Sequence, residues 1–344
     1  MSQRIAFVFP GQGSQAVGMG ADISRASPAA QRVFALADAA VGFPLSTLCF
    51  EGPEETLRET ANTQPAIVAT SLALLAALQE AAGASLPPDG EPSVTGPLTP
   101  AFVAGHSVGE YAALAAAGAL GIGDTLRLVR ERGRLMHLEG SVCPSGMAAV
   151  LGMDAATLEA VCAEATSETR AALGAEADAH PGMGRVVLAN DNAPGQIVIS
   201  GEQRALDRAM ELARARGAKR VVPLTVSGAF HSPVMAPAAA GLAQAVTAAP
   251  LRDAAVPLIA NITALPLTTA ADLRGELARQ IESPVQWTRS VEYMAAQGVD
   301  TFVEIGAGQV LAGLIKRIAK GATTLSISSA DDIASGAARL RDTQ

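Results

Sequence analysis

The sequence predicts an α/β protein whose chain is interrupted by an inserted unit with the element order β-α-β-β-α-β. Short apolar runs bounded by Gly and Pro indicate buried strands, and Ala-rich stretches between them have the length of helices. The pattern changes near residue 141, and alternating strands and helices resume after about residue 220. The 344 residues, 49% of them hydrophobic, suffice for one large domain or two smaller ones.

The first part of the chain begins with the apolar run Ile5–Phe9, which predicts a buried strand followed by a Gly-rich turn at 11–15. Helical patterns cover residues 29–40 and 64–82. Residues 83–100 contain five prolines and three glycines without any period. We therefore expect an exposed loop at 83–100.

A second strand is predicted at 101–105. It leads through a turn at Ser107 into a helix at 110–120. We expect Asp124 to cap a further helix that runs to about residue 138. This order of elements places Ser107 where a strand ends and a helix begins.

The inserted unit is predicted from four strand patterns and two helical patterns. The strands are expected at 147–151, 185–189, 196–200 and 220–226, with a turn at 190–195, and the helices at 155–169 and 202–216. Their order is that of a ferredoxin-like unit. We therefore divide the chain into a large subdomain, residues 1–140 and 220–344, and a small subdomain, residues 141–219.

Strands and helices alternate again after the insertion. We expect a helix after Pro233, a strand near 256–260, a strand at Thr301–Ile305 and a helix at 310–320. These elements would complete the α/β subdomain that the first 140 residues begin.

The composition argues against several classes of function. The formal net charge of −8 does not suit a nucleic-acid partner. The cysteines, Cys49, Cys143 and Cys162, form no CxxC pair, so we expect neither a disulfide framework nor a metal site. The first apolar run is too short for a signal peptide, and the longest apolar stretch, 112–120, is too short for a membrane span. We expect a soluble, cytoplasmic protein without a membrane partner.

The residues around Ser107 carry the strongest chemical signal. Gly105, Ser107 and Gly109 fit the pattern G-x-S-x-G, with a predicted strand before it and a helix after it. This context exposes a serine hydroxyl on a sharp turn, and the helix N-terminus directs unpaired N–H groups towards it. The sequence therefore indicates a nucleophile, with a chance match to the pattern as the alternative.

Four histidines limit the search for a general base: His106, His137, His180 and His231. His231 follows a predicted strand and precedes a helix start with Ser232 as N-cap and Pro233 at the first position. A loop at a strand end suits a base that serves a nucleophile at another strand end. A purely structural role for His231 is the alternative, and His106 is expected to be a hydrogen-bonded scaffold residue.

Arg132 lies on the apolar side of its predicted helix. It shares a face with Leu128, Val129, Leu135 and Met136, while the other arginines point away: Arg127, Arg130 and Arg134. An inward arginine needs an anionic partner, because an unpaired buried charge is costly. That partner is either an internal Asp or Glu, or a substrate carboxylate bound by both arms of the guanidinium.

A nucleotide-binding module and a serine hydrolase are the main alternative functions. The turn at 11–16 fits G-x-G-x-x-A, but residues 31–40 lack the acidic residue expected about 20 positions after such a turn. In lipases and esterases the histidine usually comes late in the chain, whereas 113 residues follow His231 here. Arg132 also has no obvious purpose in a hydrolase.

Several ordered segments resemble the malonyl-CoA:acyl-carrier-protein transacylase family over nearly the whole chain. They are FPGQGSQ at 9–15, GHSVGE at 105–110, Arg132, GAFHS at 228–232, PVQW at 284–287 and EIG at 304–306. The resemblance implies a large α/β-hydrolase-like subdomain with a ferredoxin-like insertion. It also implies ping-pong transfer of malonyl from malonyl-CoA to the phosphopantetheine thiol of acyl carrier protein, without a cofactor. That transfer would supply fatty acid or polyketide chain elongation.

The resemblance further implies roles for individual residues. Ser107 is similar to the family nucleophile and His231 to its general base. The main-chain carbonyl of Gln280 looks like the group that orients this base, and Arg132 like the arginine that holds the malonyl carboxylate.

The same resemblance implies a substrate pocket around these four residues. The backbone N–H groups of Gln12 and Val108 look like an oxyanion hole. Phe230 resembles the bulky residue found where malonyl is preferred over branched malonyl units. Asn190 and Asn192 resemble residues of the small subdomain that line the site.

Two segments depart from the family pattern. Residues 83–100 and 173–184 look longer than that pattern needs, and we expect both to be exposed. Exposed loops of this length would affect docking of a carrier protein. His180 lies in the second loop and receives no role.

Overall fold

A computed structural model of the chain describes residues 4–87 and 91–341. The strands are β1 Ile5–Phe9, β2 Phe102–Gly105, β3 Ser145–Leu151, β4 Val186–Ala193, β5 Gln196–Glu202, β6 Arg220–Pro223, β7 Leu258–Ile259, β8 Pro266–Leu267, β9 Thr301–Ile305 and β10 Thr323–Ile327. The helices are α1 Ala21–Ala26, α2 Pro28–Val41, α3 Leu45–Glu51, α4 Glu54–Arg58, α5 Thr60–Ala81, α6 Gly109–Ala116, α7 Ile122–Val142, α8 Ala155–Leu173, α9 Gln203–Ala215, α10 Ala236–Ala248, α11 Ala270–Arg279, α12 Trp287–Ala296, α13 Val310–Ile318 and α14 Ala330–Arg341. Short 3-10 helices lie at Gly174–Asp178, Pro233–Met235 and Gln280–Glu282.

The larger sheet positions the candidate site. Its strand order is β10-β9-β1-β2-β7-β8. β1 pairs in parallel with β2 on one side and β9 on the other, and the short β7–β8 pair is antiparallel. Parallel strands end at the same edge of a sheet, and Phe9 is in register with Gly105. The turn after β1 therefore lies beside the turn that carries Ser107.

The small sheet confirms the inserted ferredoxin-like unit. β3 to β6 form an antiparallel sheet with the order β4-β5-β3-β6, and α8 and α9 pack on it around a separate apolar core. β6 pairs with β3 in this sheet. The sheet thus continues past residue 219, where the small subdomain was predicted to end.

The predicted turn at 190–195 was wrong for most of its length. β4 continues to Ala193, and the chain reverses at Gly195, which has φ of 70°. Asn190 pairs within the small sheet and also bridges to Val285 of the large subdomain. Pairing on both sides of the strand outweighs the turn preference of an Asn-Asp-Asn sequence.

Helix α5 forms the centre of the large subdomain. It is long and apolar enough to cross a membrane by length and composition alone, with a mean hydropathy of 1.3. The sequence expectation that no such stretch exists was wrong. The stretch was missed because polar residues such as Asn62 and Gln79 interrupt the apolar run in this helix. In the structure 94% of the apolar window is buried, with α2 and α7 packed against the helix.

The loop at 83–100 is less exposed than predicted. Of this loop, residues 88–90 lie outside the described residues. Leu98 is only 1% exposed. The side chain of Gln79 donates to the Leu98 carbonyl at 2.8 Å and accepts from its N–H at 3.0 Å. The second half of the loop is therefore fixed to α5.

The predicted cap of α7 at Asp124 was also wrong. The helix begins at Ile122, and the carboxylate of Glu91 accepts the N–H groups of Ile122 at 2.6 Å and Gly123 at 2.9 Å. Asp124 lies in the first turn and pairs with Arg127. A distant acid in the 83–100 loop, which β2 and α6 separate from α7 in the sequence, thus satisfies the helix start, and local sequence cannot indicate this.

The remaining predicted elements are present with shifted ends. The helix predicted at 110–120 ends at Ala116, and the strand predicted at 256–260 is only Leu258–Ile259. The short helices α1, α3 and α4 were not predicted. Such short helices depend on tertiary packing more than on their own sequence.

Candidate active site

Ser107 lies in a sharp turn between β2 and α6. Its φ of 51° is a left-handed conformation that is uncommon outside glycine. A Cβ atom on Gly105 would lie 1.9 Å from the carbonyl carbon of Gly109, and one on Gly109 would lie 2.2 Å from the Phe9 carbonyl oxygen. Both glycines are required by these close backbone approaches. The turn has the strand–turn–helix geometry that the motif predicted.

His231 is the histidine that reaches Ser107. Its Nε2 lies 2.7 Å from Ser107 Oγ. Its Nδ1 lies 3.0 Å from the carbonyl oxygens of both Gln280 and Ser283. Two carbonyl acceptors require the proton on Nδ1, so Nε2 presents a lone pair to the serine hydroxyl. The Gln280 carbonyl lies where the resemblance placed it, and the Ser283 carbonyl was not predicted.

The surroundings of His231 favour its neutral form. The side chain is buried, and burial together with the nearby Arg132 charge lowers the pKa of His231 from 6.5 to about 3. The backbone N–H of His231 donates to the Ile281 carbonyl at 2.8 Å, which holds the loop in place. A neutral imidazole with a free Nε2 can accept the Ser107 proton at neutral pH.

Arg132 enters the same site from α7 and is 1% exposed. Its Nη1 donates to Gln64 Oε1 at 2.6 Å. Its Nη2 donates to Gln280 Oε1 at 2.9 Å and to Ser107 Oγ at 3.1 Å. The guanidinium carbon also lies 5.5 Å from the centre of the Tyr111 ring. All of these partners are neutral groups.

The inward direction predicted for Arg132 agrees with the structure. Its four predicted apolar neighbours are buried or half-buried, and the arginines predicted on the opposite side are half-buried or exposed. No ion pair found within residues 4–87 and 91–341 includes Arg132. The sequence left two possible partners for Arg132, an internal Asp or Glu and a substrate carboxylate. Among the described residues, no Asp or Glu forms a salt bridge with it.

A cavity of about 770 Å³ opens onto Ser107, His231 and Arg132. Both subdomains line it, and its size suits a small-molecule group. The other predicted pocket residues all line it: Gln12, Val108, Asn190, Asn192 and Phe230. The structure thus brings together residues that are as much as 219 positions apart in the sequence, from Gln12 to His231.

His106 links the two subdomains beside the cavity. Its Nε2 donates to Asn192 Oδ1 at 2.7 Å, and its ring packs edge-on against Trp287 with ring centres 5.7 Å apart. Burial lowers the pKa of His106, so the ring is neutral. This arrangement agrees with the expected scaffold role. It also means that Asn192 supports the domain interface as well as lining the cavity.

The other two histidines do not line the cavity. His180 lies beyond α8, and its Nε2 is 2.9 Å from Glu139 Oε1 of α7. This contact fixes His180 to the large subdomain, while residues 174–176, 178–179 and 181 of the 173–184 loop are exposed, as expected. His137 is half-buried on α7.

The described residues offer no metal centre. No group of three or more His, Cys, Asp or Glu side chains in this part of the chain could hold a metal ion. Cys49, Cys143 and Cys162 are free and buried. Burial raises the pKa of Cys49 and Cys162 to about 12, so neither thiol is a ready nucleophile.

Asn261 and Ser283 are the site residues that sequence reasoning missed. Asn261 Oδ1 accepts the backbone N–H of Ser107 at 2.8 Å, and the Ser283 carbonyl is the second acceptor of His231. Asn261 follows the very short strand β7, and a strand-end Asn is a weak signal that could have marked it. A backbone carbonyl such as that of Ser283 leaves no signal in a sequence.

The geometry of this site can be compared with known proteins. A family model described as "acyl transferase domain" matches residues 6–334. The chain is 43% identical over 330 residues to the malonyl CoA-acyl carrier protein transacylase of Bacillus subtilis, covering 96% of this chain and 95% of the other. The chain belongs to the malonyl CoA-acyl carrier protein transacylase family. The Escherichia coli K12 member is 40% identical over 338 residues, covering 98% of this chain and 99% of the other.

Solved structures of this family have the same fold. The malonyl CoA-acyl carrier protein transacylase of Coxiella burnetii gives a TM-score of 0.87 at 36% identity and covers 99% of both chains. A malonyl-transacylase in complex with its type II polyketide synthase acyl-carrier protein gives a TM-score of 0.85 at 35% identity, covering 98% of this chain and 99% of that one. The two-subdomain α/β fold expected from the resemblance is therefore confirmed.

Proposed function

We propose that this chain transfers a malonyl group from malonyl-CoA to the phosphopantetheine thiol of acyl carrier protein, through an ester on Ser107. One observation carries the proposal. A serine hydroxyl within 2.7 Å of a neutral histidine shares its cavity with a buried arginine whose hydrogen-bond partners, among the described residues, are all neutral. The first pair suits acyl transfer, and the arginine suits an acyl group that ends in a carboxylate.

In the first half-reaction His231 Nε2 takes the proton of Ser107 as Oγ attacks the thioester carbonyl of malonyl-CoA. The carbonyl oxygen becomes an oxyanion, to which the backbone N–H groups of Gln12 and Val108 would donate. The tetrahedral intermediate collapses, the C–S bond breaks, and His231 returns the proton to the departing thiolate. CoA leaves, and the malonyl group remains as an ester on Ser107.

In the second half-reaction the phosphopantetheine thiol of the carrier protein takes the place of CoA. His231 removes the thiol proton, the sulfur attacks the ester carbonyl, and Ser107 leaves with the proton from His231. The same groups thus serve both directions of the transfer. No cofactor is needed, since the thioester is already an activated acyl donor.

Two carbonyls, rather than a carboxylate, orient the base. A carboxylate partner would stabilise the imidazolium and raise the pKa of His231. The carbonyls of Gln280 and Ser283 also raise this pKa, but burial and the Arg132 charge outweigh them and keep the ring neutral. A thiolate is a good leaving group, so the reaction asks less of its base than amide hydrolysis does. We therefore assign the orienting role to Gln280, with Ser283 as a second acceptor.

Arg132 and Phe230 would select the acyl group. Arg132 has donors that a malonyl carboxylate can take from its neutral partners, and such a charged pair is stronger than the bonds it replaces. Phe230 is 6% exposed and lines the cavity, where its ring would leave little room for a branch on the acyl chain. Asn190 and Asn192 would complete the wall on the side of the small subdomain.

We place the enzyme in the cytoplasm, in fatty acid or polyketide chain elongation. The free, buried cysteines suit a reducing compartment. The polyketide alternative has support in a structural relative that is a malonyl-transacylase bound to a type II polyketide synthase carrier protein. Both acceptors present the same phosphopantetheine thiol, so the chemistry at Ser107 is common to them.

The proposal is tested by intact-mass measurement of the protein after incubation with malonyl-CoA. Wild type should gain one malonyl group without carrier protein present, and Ser107→Ala should gain none. Adding carrier protein with its phosphopantetheine arm should then remove the label, while carrier protein without the arm should not. A malonylated Ser107→Ala protein, or a wild-type protein that stays unlabelled, would overturn the assignment.

A further inference from the structure

A buried carboxylate behind the site belongs to no step of the proposed reaction. Glu110 lies in the first turn of α6 and is fully buried. It forms no ion pair within residues 4–87 and 91–341, yet each of its oxygens accepts hydrogen bonds from side chains that touch Ser107. The Arg132 charge acts on Glu110 only through the intervening Gln280 side chain. A buried carboxylate without a directly bonded cation is costly, so its retention here needs an explanation.

The first contact of Glu110 runs through Asn261. Glu110 Oε1 accepts the Asn261 backbone N–H at 2.9 Å and its side-chain Nδ2 at 3.1 Å. These bonds fix the amide so that its oxygen faces the Ser107 N–H, which it accepts at 2.8 Å. Asn261 Nδ2 also donates to the Gly105 carbonyl at 2.7 Å. The peptide before Ser107 is therefore held by an amide that Glu110 orients.

The second contact runs through Gln280. Glu110 Oε2 accepts Gln280 Nε2, and the same nitrogen donates to the Ser107 carbonyl at 2.9 Å. With its nitrogen directed this way, the amide oxygen of Gln280 faces Arg132 and accepts from Nη2 at 2.9 Å. The main-chain carbonyl of Gln280 accepts from His231. One glutamine thus contacts three of the proposed site residues, and Glu110 sets its orientation.

Ser107 needs such support because its backbone is strained. A non-glycine residue at φ of 51° persists only where the surrounding structure fixes it. Both backbone polar groups of Ser107 are bound by side chains, and both side chains are bound by one carboxylate. We propose that Glu110 is a positioning residue that holds the Ser107 turn and directs the Gln280 amide oxygen towards Arg132. This inference rests on the proposed function for its kinetic test.

The charge state of Glu110 is coupled to its neighbours. Burial raises the pKa of Glu110, and the nearby Glu276 carboxylate raises it further, while the donors from Asn261 and Gln280 and the nearby Arg132 charge lower it. The groups that contact Glu110 Oε1 and Oε2 are all N–H donors, which a protonated carboxyl would satisfy less well. Geometry therefore favours the carboxylate form as the one that orients both amides.

The variant Glu110→Gln tests this role at nearly constant volume. An amide offers one acceptor and one donor where the carboxylate offers two acceptors. One of the two contacts must then place N–H against N–H, so either Asn261 or Gln280 turns away from Ser107. Glu304→Gln is the matched control, because Glu304 is also a buried acid whose two oxygens accept backbone N–H groups, from Leu311 at 3.0 Å and Ala312 at 2.8 Å. Within the described residues, none of its hydrogen bonds involves Ser107, Asn261 or Gln280.

Two reactions are measured for each variant: phosphonylation of Ser107 by a fluorophosphonate, which needs no acyl substrate, and acylation by malonyl-CoA in a single turnover. We expect Glu110→Gln to slow both by about 100-fold, as a misplaced reacting group does. The inhibition constant of CoA should change less than threefold. Glu304→Gln should keep both rates within threefold of wild type. Glu110→Asp should react faster than Glu110→Gln, because it keeps two acceptor oxygens despite its shorter side chain.

The outcomes separate positioning from packing. Rates within threefold of wild type for Glu110→Gln, an equal loss for Glu304→Gln, or Glu110→Asp slower than Glu110→Gln would each overturn the proposal. If Glu110→Gln does not fold, Asn261→Ala removes one of the two contacts and should slow phosphonylation at least 10-fold; an unchanged rate overturns the proposal. If the fluorophosphonate labels wild type but malonyl-CoA does not, the proposed function is refuted. The phosphonylation rates of the variants would still test the positioning role of Glu110.

Discussion

Arg132 donates a hydrogen bond directly to the oxygen of Ser107: its Nη2 lies 3.1 Å from Oγ. The buried cation therefore hydrogen-bonds the hydroxyl that His231 is to deprotonate. A carboxylate is a stronger acceptor for a guanidinium than a hydroxyl is, so a bound malonyl group would draw this donor away from Oγ. The charge proposed to recognise the substrate therefore lies directly beside the nucleophile.

Removing Arg132 should therefore separate malonyl from acetyl substrates. Arg132→Ala should reduce kcat/KM for malonyl-CoA by an amount equivalent to about 2–5 kcal/mol, the range for losing one partner of a buried charge pair. Acetyl-CoA never forms that pair, and its kcat/KM should fall little or rise, since no unpaired guanidinium remains to be desolvated. Steady-state assays with both substrates measure the difference.

Two controls complete the Arg132 experiment. Arg132→Lys should recover only part of the loss, because an ammonium cannot replace a planar, two-armed donor. A melting curve shows whether the substitution merely weakens the fold. Equal losses for malonyl-CoA and acetyl-CoA, together with a lower Tm, would contradict the carboxylate-binding role.

Removing the base should slow acylation of Ser107. His231→Ala should reduce the single-turnover rate with malonyl-CoA by about 100- to 10,000-fold, the usual contribution of a positioned general base. The variant keeps Ser107 and Arg132, so substrate should still bind, which a competition assay with CoA can check. An unchanged acylation rate would move the base to another residue.

The low pKa of His231 predicts an unusual pH dependence. Its pKa is about 3 in the folded protein against an ordinary value of 6.5, so the unfolded chain binds the extra proton more readily between these values. Stability contributed by the neutral ring is complete above pH 6.5 and is lost as the pH falls towards 3. His231→Gln should lack this part of the acid destabilisation, as urea titrations at pH 7 and pH 5 would measure.

The same pKa bears on the rate of acylation. Single-turnover acylation of wild type should show no protonation step near pH 6.5, because the base remains neutral well below that pH. An inflection at pH 6–7 that disappears in His231→Gln would mean that the ring titrates normally. That result would contradict the burial argument for this side chain.

Phe230 should control tolerance for a branched acyl group. Its side chain lines the cavity one position before the proposed base. Phe230→Ser should improve kcat/KM for methylmalonyl-CoA relative to malonyl-CoA by an amount equivalent to about 1–3 kcal/mol, the worth of one methyl group in an apolar pocket. Competition between the two substrates gives the ratio directly. An unchanged ratio would mean that the ring does not contact the acyl group.

The family resemblance implies an acidic carrier protein. Since this chain also has a net charge of −8, docking should depend on a local basic surface. Two basic patches are candidates: Lys316, Arg317 and Lys320 at the end of α13, and Arg214, Arg216, Lys219 and Arg220 on the small subdomain. Arg216 is already paired with Glu164, which favours the α13 patch. Lys320 lies just past the end of that helix, at Ile318.

Charge reversal in the docking patch should raise KM for the carrier protein, with the largest effect at low salt. Hydrolysis of the malonyl-enzyme, which needs no carrier, should stay at the wild-type rate. Lys316→Glu with Arg317→Glu is compared with Arg214→Glu with Arg220→Glu at two ionic strengths. If the carrier KM ignores both patches and the salt concentration, electrostatic docking is wrong.

Much of the fold could be predicted from local patterns. The apolar run Ile5–Phe9, the G-x-S-x-G turn and the βαββαβ order each rely on spacing within a few residues, and each agrees with the structure. The inward face of Arg132 follows from 3.6 residues per turn alone. Errors arose where distant groups decide a local feature, as when Glu91 caps α7 or Val285 pairs with Asn190.

The sequence by itself determined which residues could carry chemistry: a serine on a strand-to-helix turn, a histidine after a strand, and an arginine on an apolar helical face. Only the tertiary structure decided what these groups meet. Asn261 lies 154 positions from Ser107, and Gln280 lies 173 positions from it, yet both bind its backbone. Periodicity fixes the direction of a side chain from its own element, whereas its partners depend on how the sheets close around one cavity.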